Sequence, residues 1–377
     1  MSPLIADTRA LTAICEEAAK QDLVAIDTEF VWTNTYHPRL GLIQLAWDEQ
    51  HSHLLDVLAI NDPTPLQILL DNATVTKVFH EAASDLPILR RWCGALTAPL
   101  VDTRIAAGFC GLTATMSLNR LLTSELGITL PKTETRTDWL QRPLSDAQLQ
   151  YAASDVALLP KLYRTLEHKI DQLGNLPWFK EEMASYSHNG YYGETKPDEC
   201  WRRVSGMGSL SGIDLAVLKS LAAWREQTAQ ELDKARPRVM KDEQLVVAAR
   251  LHPKTLADLK KIPDYWPKLI EKFGEGVLAA VQRGLAMPQH AWPVLPGMRL
   301  PSAVIKQRSN RILQVVQKRA NERQIDPQLV AARKDAEALV FAAQAGKWPV
   351  HHQLLQGWRR ELTGDVIENL VTGNFND

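Results

Sequence analysis

Cysteine is scarce in this chain of 377 residues: Cys15, Cys93, Cys110 and Cys200 are the whole supply. None forms a C-x-x-C pair, which argues against a cysteine zinc site and a disulfide framework and suits a reducing compartment. No stretch approaches the roughly 18 apolar residues a membrane helix needs. The N-terminus is interrupted by Asp7, Arg9, Glu16 and Glu17 and lacks the apolar core of a secretory signal. A cytoplasmic protein with no membrane partner is therefore expected. No G-x-x-x-x-G-K-[ST] loop is present to cradle nucleotide phosphates, so ATP-driven work is not expected either. Net charge is almost missing too, at −1.

That last absence is a cancellation. Residues 1–197 carry 16 Lys and Arg against 24 Asp and Glu, a net of −8, which leaves 27 against 20, or +7, for residues 198–377. With 45% hydrophobic and 23% charged residues the composition is that of an ordinary globular protein, and the length suggests two or three domains.

What is present reads in two styles. The runs Leu23–Phe30, Leu40–Trp47 and His53–Val57 are short, apolar and β-branched, and their short links predict an antiparallel meander. A helix near 64–71, a strand at 76–79, a helix over 81–93, a strand at 100–102 and a helix from Thr103 follow, which predicts a mixed sheet carrying helices. Ser145, with Gln148 three residues on, opens a long helix expected to run to about 172. Beyond Gly174 the signals turn to loop, and no strand pattern recurs before the C-terminus. Four prolines between Met287 and Pro301 divide the helical remainder. The expected domains are an α/β domain at 1–197 and helical domains at 198–290 and 291–377. Gln244-Leu-Val-Val-Ala-Ala-Arg250 and Gln328-Leu-Val-Ala-Ala-Arg333, each preceded by a helix and a proline-containing link, suggest that the helical pieces are a diverged repeat.

The chemistry lies in the acidic part. Asp27 and Glu29, two apart at the end of an apolar strand, share one face, whereas a bare D-x-E is more often a strand end reaching solvent. Tyr151 and Asp155 stack at i and i+4 with small residues between. Asp85 lies on the helix after the fourth strand. If the four acids converge, each like-charge pair at 4 Å costs roughly 4 kcal/mol at an effective dielectric of 20, so the cluster demands cations. All-oxygen ligands favour Mg²⁺ or Mn²⁺, and two such ions would support in-line hydrolysis of a phosphodiester. Tyr151, near pKa 10, would be a neutral donor that orients water.

In order and spacing, I-D-T-E-F at 26–30, H-E-A-A-S-D-L at 80–86 and Y-A-A-S-D at 151–155 resemble the three motifs of the DEDD exonuclease superfamily, in its Tyr-containing branch. The segments Tyr36–Leu45, Leu100–Thr103 and Arg136–Leu144 resemble the ribonuclease D family, and the two helical pieces resemble its tandem HRDC (helicase and RNase D C-terminal) domains. The resemblance implies an RNase H-like fold, two divalent metal ions, and 3′→5′ removal of nucleotides as 5′-monophosphates from RNA, chiefly tRNA precursors with 3′ trailers. It also implies Asp27, Glu29, Asp85 and Asp155 as metal ligands, Tyr151 as the residue that positions the attacking water, and Phe30 packed near the terminal bases. His80 is a further candidate substrate contact.

No acidic residue falls between Glu275 and Glu322, whereas Arg283, Arg299, Lys306, Arg308, Arg311, Lys318 and Arg319 do. Lys234, Arg236, Arg238 and Lys241 form a second basic group. Any one such cluster is ordinarily a solvated face, but beside a phosphodiesterase domain it suits RNA phosphates, with Arg236, Arg308 and Arg311 as candidate contacts. A monomer is expected. A DNA-directed exonuclease of the same superfamily and a non-catalytic nucleic-acid-binding protein are the alternatives.

Overall fold

The computed structural model describes residues 4–130, 137–186, 196–293, 303–344, 351–364 and 366–372. Its sheet has six strands: β1 (Leu4–Ile5), β2 (Leu23–Val31), β3 (Arg39–Ala46), β4 (Ser52–Leu55), β5 (Thr76–Phe79) and β6 (Leu100–Asp102), in the order β1-β4-β3-β2-β5-β6. β3 and β4 are antiparallel, pairing Ile43 with Leu55, and β5 is parallel to both β2 and β6. This is the mixed sheet the sequence predicts. The exception is β1, parallel to β4, whose two residues are too few to show any period.

Eight helices accompany this sheet in chain order: α1 (Thr8–Ala18), α2 (Thr64–Asp71), α3 (Ala82–Cys93), α4 (Thr103–Gly108), α5 (Leu118–Leu126), α6 (Asp146–Ala157), α7 (Leu159–Gln172) and α8 (Leu176–Tyr186). The capping box at Ser145 and Gln148 forms as expected. The long helix does not run through, however. Pro160 offers no N–H and its ring crowds the preceding turn, so the chain breaks at Leu158 into α6 and α7. The stretch after Gly174, read as loop, begins instead with α8, which buries Phe179, Met183 and Tyr186 at helical spacing. The expected linker signals at Gly190 and Gly193, and most of the proline-rich break, lie outside the described residues.

Two compact units result, and they do not follow the expected boundaries. The first comprises Met1–Val31, Leu40–Gly193 and Pro301–Asp377. Its C-terminal helices, α14 (Ala303–Glu322), α15 (Pro327–Val330), α16 (Arg333–Gln344), α17 (Gly357–Thr363) and α18 (Val366–Thr372), share one hydrophobic core with the sheet, through Ile312, Val316, Leu339 and Trp358 among others. Buried polar groups fasten them. Asn175 Nδ2 donates to the carbonyls of Phe109 (3.2 Å) and Arg323 (2.9 Å), Asp326 accepts from the Ala114 amide (2.8 Å), and Arg359 pairs with Glu182 (2.8 Å). The piece expected as a third domain thus has no separate core.

The second unit holds Glu194–Leu300 and, from inside the other part of the chain, the loop Trp32–Arg39. Its helices are α9 (Ile213–Glu231), α10 (Arg236–Val239), α11 (Asp242–Leu251), α12 (Leu256–Leu259) and α13 (Pro267–Leu285). α9 and α13 approach closely because Gly284 has no side chain; a Cβ there would collide with the Val217 backbone. The loop is anchored by Tyr36, whose hydroxyl donates to Glu226 and accepts from Arg236 (3.0 Å) and Gln230 (3.1 Å). The Tyr36 amide donates to Asp233 and the Ala235 amide to the Asn34 carbonyl, at 3.1 and 3.0 Å.

Both helical pieces carry one local pattern, offset from the register their sequences suggested. In one copy α9 leads to the single turn α10, the extended residue Met240 (φ −162°, ψ 132°) and α11; in the other, α14 leads to α15, the extended Ala331 (φ −157°, ψ 139°) and α16. Met240 therefore corresponds to Ala331. The matched Q-L-V runs lie on non-equivalent elements, because common helix formers resemble one another wherever helices begin.

Candidate active site

Four side chains from two elements define the site. β2 alternates, so Asp27 and Glu29 point to the face covered by α6, whereas Thr28 and Phe30 point to the other. From α6, one helical turn apart, come Tyr151 and Asp155. The result is a group in which carboxylate oxygens of Asp27, Glu29 and Asp155 all lie within 4.8 Å of one another.

Such a group is electrostatically uncomfortable. Burial first, and then the neighbouring carboxylates, push Glu29 up to about 9 and Asp27 to about 7. Burial pushes Asp155 to about 6, although its hydrogen bond from the Tyr151 hydroxyl works the other way. With no cation beside it among the described residues, the cluster holds protons near neutrality unless a metal replaces them. The donor set fits a hard divalent ion: three carboxylates converge with no sulfur or imidazole among them.

Asp85 stands beside this group rather than within it. On the first turn of α3 and 4% exposed, it accepts a hydrogen bond from the Thr28 hydroxyl. Burial raises its pKa well above the usual carboxylate range, with the Asp27 charge the next cause. Sequence reasoning missed what aims it. Asp102, at the end of β6, accepts from the amides of Glu81 (3.1 Å), Ala82 (2.8 Å) and Arg104 (2.8 Å), so one carboxylate fastens the entry of both α3 and α4. Glu81 itself is left-handed, at φ 73°. Asp102 reads as an N-cap from its position before Thr103; its hold on α3 has no local signal.

Tyr151 is braced from behind. Its ring lies 6.2 Å from that of the buried Trp139, and a side chain at Gly41 would collide with the Trp139 carbonyl. Arg142 locks that segment by reaching Asp56 (2.6 and 2.9 Å), the Gly41 carbonyl (2.7 Å) and the Trp139 carbonyl (2.9 Å). Burial, and then the Asp155 charge, raise the Tyr151 pKa, so the phenol stays neutral.

The other candidates are placed less directly. Phe30 is half-buried next to the acids in sequence, but alternation puts it on the opposite strand face. His80 turns to Thr103, its Nδ1 2.9 Å from that hydroxyl, and burial with the Arg104 charge lowers its pKa to about 4. Arg236 is engaged by Glu226 at 2.5 Å and stacks on Tyr36, 4.5 Å from the ring centre. Arg308 and Arg311 are half-buried on α14, and Arg308 reaches the Val371 carbonyl at 3.4 Å. No helix among the described residues is long and apolar enough to cross a membrane.

Residues 4–171 match a family model described as a 3′-5′ exonuclease, and residues 214–281 match the HRDC domain. Ribonuclease D of Pseudomonas paraeruginosa is 34% identical over 369 residues, covering 97% of this chain and 96% of that protein. Ribonuclease D of Escherichia coli K12 is 32% identical over 380 residues, covering 98% of each chain. The crystal structure of E. coli RNase D, described as an exoribonuclease involved in structured RNA processing, superposes with a TM-score of 0.88 at 32% identity over 98% of both chains.

Proposed function

The chain belongs to the ribonuclease D family, and from that premise we propose how its residues carry out the reaction. It is a 3′→5′ exoribonuclease that uses divalent metal. In our reading Asp27, Glu29, Asp85 and Asp155 would hold two ions, Mg²⁺ or Mn²⁺: Asp27 is close both to the Glu29–Asp155 group and, through its charge, to Asp85. Bound there, the ions would activate a water and stabilise the leaving oxygen at the 3′-terminal phosphodiester. The chain's own contribution is positioning. The neutral Tyr151 hydroxyl, oriented by Asp155 and braced by Trp139, is a donor aimed at the attacking water. Thr28 and Asp102 set the direction of Asp85.

The observation that carries this reading is the convergence of three carboxylates within 4.8 Å with no cation among the described residues to neutralise them. A purely structural cluster would be paired with Arg or Lys. The substrate we propose is a tRNA precursor with a 3′ trailer, in line with the structured-RNA role of the E. coli relative. The enzyme would act in the cytoplasm and as a monomer. The test is a 5′-labelled precursor with a 3′ trailer beside a matched DNA strand, in Mg²⁺ and in EDTA. Stepwise shortening of the RNA from its 3′ end with release of 5′-monophosphates is expected in Mg²⁺ alone; internal cleavage, or equal action on DNA, would overturn the reading.

A further inference from the structure

A cavity of about 700 Å³ opens within the second unit, lined by the loop Trp32–Tyr36 on one side and by Arg203, Arg236 and Lys241 on another. Its chemistry differs from that of the acidic site. Two of its cations are already committed: Arg225 to Asp242 at 2.7 Å, and Arg236 to Glu226 at 2.5 Å. Arg203 and Lys241 are exposed, and no carboxylate pairs with either among the described residues; Glu243 is the one acid of the lining outside those two ion pairs. Trp32 is 58% exposed, an unusual place for so large an apolar ring, and its indole N–H donates to the Tyr36 carbonyl at 3.3 Å, which fixes its plane. The Arg236, Tyr36 and Glu226 cluster makes this wall rigid.

An exposed, oriented indole beside uncommitted cations is the combination that holds single-stranded nucleic acid: a base stacks on the ring while the charges take the phosphates. The chain adds a constraint of its own. Trp32 follows Glu29 by three residues, so extended backbone separates them by at most roughly 10 Å. We propose that this cavity is an RNA subsite, in which Trp32 stacks on a base a few nucleotides upstream of the 3′ end while Arg203 and Lys241 hold its phosphates. The proposal rests on the exoribonuclease reading and adds to it a determinant of substrate length. A free mononucleotide would gain only one phosphate contact.

The experiment uses the full chain and two single-stranded RNAs, one of about 12 nucleotides and one a dinucleotide, which has no nucleotide beyond the one adjoining the scissile bond. Trp32→Ala should raise KM for the longer RNA about tenfold, with kcat and the dinucleotide reaction unchanged. Trp32→Phe should restore most of the loss, because the ring is kept. Arg203→Ala with Lys241→Ala should weaken binding of the longer RNA and lower its salt slope by about 1.4. Equal losses on both RNAs, or unchanged KM on the longer one, would overturn the proposal. Binding of the longer RNA, followed by fluorescence anisotropy in EDTA, separates the two readings. A wild-type chain that binds but never hydrolyses would refute the exonuclease assignment, whereas Trp32→Ala binding as tightly as wild type would refute the subsite.

Discussion

Two buried carboxylates in this molecule have opposite fates. Glu226 is 1% exposed in the second unit, yet Arg236 and the Tyr36 hydroxyl hold its pKa below the usual value. Glu29, in the first unit, is surrounded by Asp27, Asp155 and Asp85, and rises to about 9. The chemical group is the same; the difference is whether the protein supplies the counter-charge. Glu226 is part of a finished structure, while Glu29 belongs to a site completed from solution.

The sharpest way to break that comparison is to remove one charge from each. Asp155→Asn should cut Mg²⁺-dependent release of 3′ nucleotides by ~10³-fold or more while the circular dichroism spectrum is kept. Substantial residual hydrolysis would take Asp155 out of the metal site. In the second unit the corresponding injury is to stability. Arg236→Ala strands a buried carboxylate and should cost about 3 kcal/mol in denaturant unfolding, and a loss under 1 kcal/mol would show Glu226 solvated after all.

Tyr151→Phe should be milder than loss of an acid. Removing one donor to the attacking water is expected to lower kcat by ~10- to 100-fold with the Mg²⁺ dependence preserved. A shift in the Mg²⁺ requirement would place the phenol among the metal's own contacts.

The smallest effect separates the two carboxylates by sign. Glu29, Asp27 and Asp155 bind protons more tightly folded than unfolded, so in EDTA their contribution favours folding fully below about pH 4 and is lost as pH rises through 6 to 9. Glu226 does the reverse: its stabilisation is present above its unfolded value, near 4.5, and fades as pH falls. Melting temperatures in EDTA should therefore decline from pH 5 to pH 9 and recover with Mg²⁺. Glu29→Gln should flatten the decline, and a wild-type curve unaffected by Mg²⁺ would argue against metal at this cluster.

The legible part of the site was what repeats over a few residues. Asp27 and Glu29 share a face because strands have period two, and Tyr151 meets Asp155 because helices bring i and i+4 together. Asp102, Thr28 and the Arg142 lock were illegible for the opposite reason: each acts on a partner far along the chain, Asp102 on Ala82 across 20 residues, Thr28 on Asp85 across 57 and Arg142 on Asp56 across 86. The repeat shows the same limit from the other side. Its helices were recognisable, but Q-L-V-A-A-R is written in residues that favour any helix, so composition alone placed the register wrongly. His80 and Arg236 carried the right chemistry for substrate, yet the fold turns one to Thr103 and the other to Glu226.

By itself, then, the sequence determined the strands, the helices, the motif acids and the uneven charge of the two halves, because periodicity and composition are local properties. Tertiary structure decided that Asp155 closes on Asp27 across more than a hundred residues, that residues 301–377 join the catalytic unit's core, and that the loop after β2 belongs to the other unit. Those outcomes depend on which apolar faces bury each other and which charges find a partner, and no short window of residues holds both sides of such a contact.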